Sequence, residues 1–96
     1  MTSQDEFDAT LAAKRDTPEY RAAMKAFALA HELGRQIRVI RENLGWTQTE
    51  LGRRAGLRPH AVSRLEAGDV VPTLTTLERI AAALETELTV SLAAAA

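Results

Sequence analysis

The 96-residue sequence contains no cysteine and only four aromatic residues other than histidine. Without cysteine it can form neither a disulfide framework nor a thiolate metal site. Its two histidines, His31 and His60, have no acidic cluster beside them, so we expect no metal and no cofactor. No apolar run approaches the roughly 20 residues that cross a bilayer, and the N-terminus lacks the pattern of a signal peptide. We therefore expect a soluble, cytoplasmic protein with no membrane contact, built as one small domain that gains stability by dimerising.

Charge is distributed unevenly along the chain, although the formal net charge is only -1. Residues 35–64 carry seven arginines against Glu42 and Glu50, whereas the segments on either side are acidic. A basic middle between acidic flanks is the footprint of a polyanion-binding element. The alternative is that these arginines form an ordinary solvated helix surface.

Helix signals are frequent. Thr17 and Pro18 suit the cap and the first position of a helix, and the apolar spacing of "ELGRQIRVIRENLG" predicts a core helix that ends at Gly45. Whether these two segments form one helix through Gly34 stays open, because one glycine within a helix costs only about 1 kcal/mol relative to alanine. "TQTE" at 47–50 matches a capping box for a second helix that ends at Gly56.

Two further helices and a strand are expected downstream. "PHAVSRLEA" predicts a third helix that begins at Pro59, and Thr73 or Thr75 caps a fourth. "ELTVSL" then alternates apolar and polar residues, as a strand does. A lone strand has no partner within the chain, so we expect it to pair with its copy in a homodimer; the apolar residues of this dimer strand are Leu88, Val90 and Leu92.

The two short helices joined by "AGLR" form the pattern of a helix-turn-helix, whose second helix lies in the DNA major groove. "RENLGWTQTELGRRAGLRPHAVSRLEAGDVVPTLTTLERIAAAL" resembles the Cro/C1-type (XRE-like) helix-turn-helix family at its T-Q-x-E-L, G-L, V-S-R-L-E-x-G and P-x-L-x-x-L-x-x-I-A-x-A-L positions. The flanking segments resemble those of HigA-type and HipB-type antitoxin repressors. The resemblance implies an all-α bundle with an N-terminal helical extension and a short C-terminal β-strand that pairs across the dimer.

This resemblance divides the chain into an extension (1–31), a helix-turn-helix domain (32–84), a dimerisation strand (85–92) and a tail (93–96). It implies a dimeric repressor that binds double-stranded DNA at a palindromic operator in its own operon and neutralises a cognate protein toxin. A phage-type or stand-alone repressor without a toxin, and a protein-interaction module with the same fold, remain alternatives.

The resemblance also implies roles for individual residues. The base-contacting residues are Pro59, His60, Ser63 and Arg64. The phosphate-contacting residues are Arg38, Thr47, Gln48, Arg53 and Arg58. Where the family usually has a serine or threonine cap followed by glutamine, this chain has Arg58 and Pro59, so no operator sequence is implied. One or two of the arginines in the basic segment are expected to be ordinary surface charges.

Two other positions are implied to be structural. By resemblance, Arg41 pairs with Glu66 in a partly buried ion pair that contacts no base. Gly52 stands where the family has alanine, and we expect it to let the second and third helices approach each other near Val62. His60, Ser63 and Glu66 together do not make a hydrolytic triad, because Glu66 is engaged by Arg41 and there is no oxyanion site. No enzymatic activity is expected.

Most of the aromatic content lies ahead of the central domain. Five apolar residues there are candidates for docking in a groove of the toxin: Phe7, Leu11, Tyr20, Met24 and Phe27. The alternative is that they cover the core of the chain's own domain.

Overall fold

The computed structural model describes residues 17–95, which form four α-helices: α1 (Pro18–Asn43), α2 (Gln48–Ala55), α3 (Pro59–Ala67) and α4 (Leu74–Ala83). The all-α helix-turn-helix fold expected from the sequence is confirmed. Within this described range no helix has the length and apolarity needed to span a membrane. Phe7 and Leu11 lie outside the described residues.

Threonine caps set the starts of three helices. The hydroxyls of Thr17, Thr47 and Thr73 each accept a hydrogen bond from the backbone N–H three residues later, at 3.2, 3.0 and 3.1 Å. Each bond satisfies one of the donors that a helix leaves unpaired at its first turn. Helix α3 has no such side-chain bond at Arg58 and begins instead with Pro59, whose missing N–H needs no partner there.

Helix α1 is a single helix of 26 residues that passes through Gly34. A Cβ atom at this position would lie 2.3 Å from the carbonyl oxygen of Leu65 and 2.8 Å from that of Glu66. Such distances are impossible for a real side chain, so glycine is needed where the last turn of α3 crosses α1. Its cost in helix propensity is offset by this close approach.

The turn between α2 and α3 depends on another close approach. A Cβ at Gly52 would lie 2.5 Å from the carbonyl oxygen of Leu57, in the turn itself. The close approach expected at Gly52 is therefore present, but the atoms nearest to it belong to the backbone of Leu57 and Arg58, at the turn and the cap of α3, and not to Val62. Helix α2 ends at Gly56, whose φ of 70° is the left-handed conformation that glycine adopts without strain.

The core lies where α1, α2, α3 and α4 meet. Leu51, Val62 and Ile80 are its most deeply buried large side chains, and Ile37 and Leu65 pack in the same cluster. Because α3 contributes both Val62 and Leu65, one of its faces is held against the core and the opposite face is left to solvent.

The two ends of the described chain pack differently from this core. The buried residues of α1 are Ala30, Gly34 and Ile37, so its first three turns contribute none. Residues 86–95 have no regular secondary structure in the single chain. The predicted dimer strand is therefore not shown, and its test requires a second copy.

Candidate nucleic-acid interface

The exposed face of α3 carries the residues expected to contact bases. Pro59, His60, Ser63 and Arg64 are all solvent-exposed, while Val62 between them is fully buried. Residues three and four apart on a helix are neighbours, so His60 and Arg64 form one surface with Ser63 beside them.

Behind this face, Arg41 of α1 and Glu66 of α3 form a paired set of hydrogen bonds. Arg41 donates from Nε to Glu66 Oε2 at 2.6 Å and from Nη2 to Glu66 Oε1 at 2.9 Å. The two side chains are only 11% and 3% exposed. The hydrogen bond to Glu66 raises the pKa of Arg41 above its ordinary value. A planar guanidinium that donates two parallel bonds fixes orientation as well as distance.

The same pair reaches α2. Arg41 Nη1 donates to the carbonyl oxygen of Trp46 at 2.7 Å, just before α2 begins. Gln48 Nε2, in the first turn of α2, donates to Glu66 Oε1 at 3.2 Å. One carboxylate therefore joins α1, α2 and α3, and it holds the two helices of the motif at a fixed angle.

This network makes Gln48 partly structural, although the sequence resemblance implied only a phosphate contact. The amide of Gln48 has two N–H donors and one acceptor oxygen, and the bond to Glu66 uses one donor. Gln48 therefore retains polar groups at the start of α2, beside the free N–H groups of a helix N-terminus that suit a phosphate oxygen.

A polar hollow brings together candidates from three helices. It is lined by Arg38, Arg41, Glu42, Gln48, Ser63, Glu66 and Ala67. Two phosphate candidates, Arg38 and Gln48, thus lie beside the base candidate Ser63, although 15 residues of sequence separate Gln48 from Ser63. Arg58 and Arg53 lie outside this hollow.

Several arginines of the basic segment are paired with carboxylates, of which Glu42 is exposed and Glu50 is half-buried. Arg38 Nε lies 2.9 Å from Glu42 Oε1, and both Arg53 and Arg54 lie 2.7 Å from Glu50 Oε1. The hydrogen bonds from Arg53 and then Arg54 lower the pKa of Glu50 to about 2. The Glu50 carboxylate thus binds these arginines, and only the threonine half of the predicted capping box is formed by a side chain.

Arg58 and Arg64 differ from those arginines. Across residues 17–95, neither forms an ion pair. Both belong to α3 or its cap, so within the basic segment 35–64 the arginines without a carboxylate partner lie at the exposed helix of the motif.

Two contacts of the site were not anticipated from the sequence. The guanidinium of Arg54 lies 4.0 Å from the centre of the Trp46 ring, a cation–π distance. Arg79 of α4 donates to the carbonyl oxygens of Ala55 and Gly56 at the end of α2. Arg79 is 24 residues from Ala55, so no local spacing in the sequence signals this C-terminal cap.

The described residues contain no group of three or more His, Asp or Glu side chains that could hold a metal ion.

An exposed cationic helix, held at a fixed angle across the end of a preceding helix, defines the helix-turn-helix class of DNA-binding domains. Residues 32–94 match the family model described as a helix-turn-helix domain, and the chain belongs to this family. It is a DNA-binding regulator.

The chain is also similar to Antitoxin HipB of Escherichia coli (strain K12), with 33% identity over 58 residues that cover 60% of this chain and 66% of that protein. The chain thus spans about two thirds of that relative's length. A comparison with the solved structures finds no match.

Proposed function

We propose that this protein is a sequence-specific transcriptional repressor that binds a palindromic operator in its own operon. The observation that carries the proposal is the arrangement of α3, on which Arg64 is exposed and free of any ion pair within residues 17–95. Glu66, two residues further on, is instead turned inward and bound by Arg41. The one carboxylate of α3 therefore does not compete with DNA for Arg64.

Each group on the face has a matching partner on DNA. Arg64 can donate a bidentate pair to the O6 and N7 atoms of guanine, worth about 1 to 3 kcal/mol of discrimination. His60 and Ser63 lie beside it for neighbouring base edges, and Pro59 can contact a thymine methyl group. Contacts to phosphate oxygens come from Arg38, Thr47, Gln48, Arg53 and Arg58, and they set position rather than sequence.

Fluorescence anisotropy with two duplexes tests this proposal. One duplex carries the DNA upstream of the chain's own coding sequence, and the other has the same composition in scrambled order. We expect Arg64→Ala to weaken binding to the upstream duplex about tenfold and to leave scrambled binding little changed. Lys25→Ala, which removes one exposed cation from the first turns of α1, is the matched control. A wild-type protein that binds both duplexes equally would overturn the proposal.

The repressor is proposed to act as a homodimer that places its two α3 helices about 34 Å apart, one turn of DNA. Val90 and Leu92 support this, because they are 70% and 101% exposed next to a groove lined by Leu29, Val71 and Leu74. Leu88, by contrast, packs against the core of its own chain. Sedimentation analysis of the Val90→Ser/Leu92→Ser variant should give a monomer, whereas Val39→Ser, an exposed valine of α1, should not. A monomeric wild-type protein would contradict the dimer.

We further propose that the protein is the antitoxin of a toxin–antitoxin pair. The similarity to Antitoxin HipB supports this, as does an apolar stripe on the first turns of α1 formed by Tyr20, Met24 and Phe27. These side chains lie at i, i+4 and i+7 on one helix face and are 37%, 50% and 46% exposed. That is the spacing with which a helix docks in a partner's groove.

Co-expression with the neighbouring open reading frame tests the antitoxin proposal. If that frame arrests growth, the wild-type chain should restore it, and the Met24→Ser/Phe27→Ser variant should fail to do so while still binding DNA. A non-toxic neighbour within a phage integrase cluster would indicate a phage-type repressor instead. A chain that restores growth but binds no DNA would indicate a protein-interaction module.

A further inference from the structure

We propose that Glu42 and Glu50 are positioning residues that restrain Arg38, Arg53 and Arg54 and thereby weaken the sequence-independent part of DNA binding. The inference rests on the proposed DNA-binding function and adds to it residues that lower the affinity for the DNA backbone. Such residues act through the arginines and are not themselves contacts to DNA.

Glu42 lies within the proposed interface. Its Oε1 atom is 2.9 Å from Arg38 Nε and 3.8 Å from Arg41 Nη2, and it lines the same hollow as Gln48 and Ser63. The side chains of Arg38 and Glu42 are 63% and 54% exposed. A phosphate that approaches Arg38 therefore meets a guanidinium that already has an anionic partner.

Glu50 holds two cations of α2 together. It accepts from Arg53 Nε at 3.1 Å and Nη2 at 2.7 Å, and from Arg54 Nε at 2.7 Å. Because its pKa is lowered to about 2, Glu50 stays ionised at neutral pH. Arg54 is additionally held against the Trp46 ring, so both guanidinium groups are ordered before DNA arrives.

The arginines of α3 are not restrained in this way. Arg58 and Arg64 have no carboxylate partner in the described part of the chain. Arg64, which is proposed to contact bases, is thus free of a carboxylate, and so is the proposed phosphate contact Arg58, whereas the proposed phosphate contacts Arg38 and Arg53 are paired. Phosphate contacts supply nearly all of non-specific binding and make it depend on salt. Counter-anions at these positions therefore weaken backbone attraction and leave base contacts unaffected.

The expected size of the effect follows from the strength of exposed ion pairs. Such pairs are weak enough for a phosphate to displace the carboxylate. Each ion pair that is removed should therefore raise the affinity for the DNA backbone by about two- to fivefold. Each additional arginine that becomes available for phosphate should also steepen the plot of log affinity against log salt by about 0.9.

The test measures binding to the scrambled duplex, for which no operator needs to be known. Glu42→Gln and Glu50→Gln should each bind it about two- to fivefold more tightly than wild type, with a steeper salt dependence. Glu32→Gln is the matched control, because it makes the same change in net charge. It also breaks an exposed ion pair, in which Arg35 Nη2 lies 2.7 Å from Glu32 Oε1. Glu32 lines the groove beside Val71 and not the polar hollow.

A second set of variants shows whether the effect passes through the arginines. Adding Arg38→Gln to Glu42→Gln, or Arg53→Gln and Arg54→Gln to Glu50→Gln, should abolish the gain in affinity. An unfolding midpoint for each variant separates this effect from a loss of folding. The inference is overturned if the Glu42 and Glu50 variants match Glu32→Gln, or if the gain persists without the arginines. The proposed repressor fails by a different result, namely equal wild-type affinity for the upstream and scrambled duplexes.

Discussion

The two halves of α1 belong to one uninterrupted helix, yet they are related to the rest of the protein in opposite ways. From Ala30 onward the helix buries side chains against α3 and binds Glu66 through Arg41. Before Ala30 it buries none and exposes an apolar stripe at Tyr20, Met24 and Phe27. Backbone hydrogen bonding is the same in both halves, so the difference lies in their side chains.

The comparison shows that helix formation and packing have separate causes here. The first half is helical because of its Thr17 cap, Pro18 and alanine-rich sequence, without support from a tertiary core. The second half is shaped by packing, which requires even a glycine in its middle. We therefore expect substitutions in the second half to destabilise the fold. Substitutions in the first half should affect only the binding of partners.

The largest effect is expected at Glu66. Glu66→Gln leaves the guanidinium of Arg41 partly buried without its anion, and removing one partner of a buried pair costs about 3 to 5 kcal/mol. Urea unfolding followed by circular dichroism measures the loss. Glu32→Gln, which breaks an exposed pair on the same helix, is the control and should shift the midpoint far less. Similar shifts for the two variants would contradict the structural role of the Arg41–Glu66 pair.

A smaller loss is expected at Gly34. In Gly34→Ala the new methyl group meets the carbonyl oxygen of Leu65 at 2.3 Å, so α1 and α3 must separate at an expected cost of about 1 to 3 kcal/mol. The better helix propensity of alanine offsets only part of this. Thermal unfolding measures the change, and Ala22→Gly in the first half of α1 is the reverse substitution for comparison. A stabilised Gly34→Ala protein would disprove the close approach.

The first half of α1 should tolerate substitutions that would destabilise a core. We expect Phe27→Ser to alter the free energy of unfolding by no more than about 0.5 kcal/mol, because Phe27 is 46% exposed in the chain. Urea unfolding at low protein concentration checks this. A loss above 2 kcal/mol would mean that Phe27 covers the core of its own domain and is not held available for a partner.

The smallest effect is a dependence on pH at Glu32, near the boundary between the two halves. Hydrogen bonds from Arg35 and then Gln36 lower its pKa from 4.5 to about 2. A depressed folded pKa stabilises the protein above about pH 4.5, and this contribution is lost as the pH falls towards 2. The difference in melting temperature between wild type and Glu32→Gln should therefore be present at pH 6 and vanish near pH 2. A difference that persists at pH 2 would show that the pair with Arg35 is not its source.

Local features of the fold could be predicted from the sequence, and contacts across the fold could not. The caps at Thr17 and Thr47 and the glycine that ends α2 depend only on neighbouring residues, and the structure has them as expected. Whether α1 continues through Gly34 stayed open because the sequence shows the cost of a glycine but not the carbonyl oxygens of α3 that require it.

The same distinction applies to the candidate site. The family resemblance implied the pairing of Arg41 with Glu66, and the structure contains this pair. The third member, Gln48, could not be inferred, because it depends on how α2 crosses the end of α3. From the sequence, Arg79 could be recognised only as a positive charge within an acidic segment. Its partners are backbone carbonyl oxygens, which no residue type in the sequence indicates.

The length of α1 has a consequence for any assembly of this protein. Tyr20 and Arg38 are 18 residues apart on one continuous helix, which at 1.5 Å per residue separates them by about 27 Å. In the proposed assembly, a partner bound at Tyr20 and DNA bound at Arg38 would be held this far apart by one continuous helix. Two large molecules could then share one chain without colliding, and their mutual orientation would be dictated by backbone geometry.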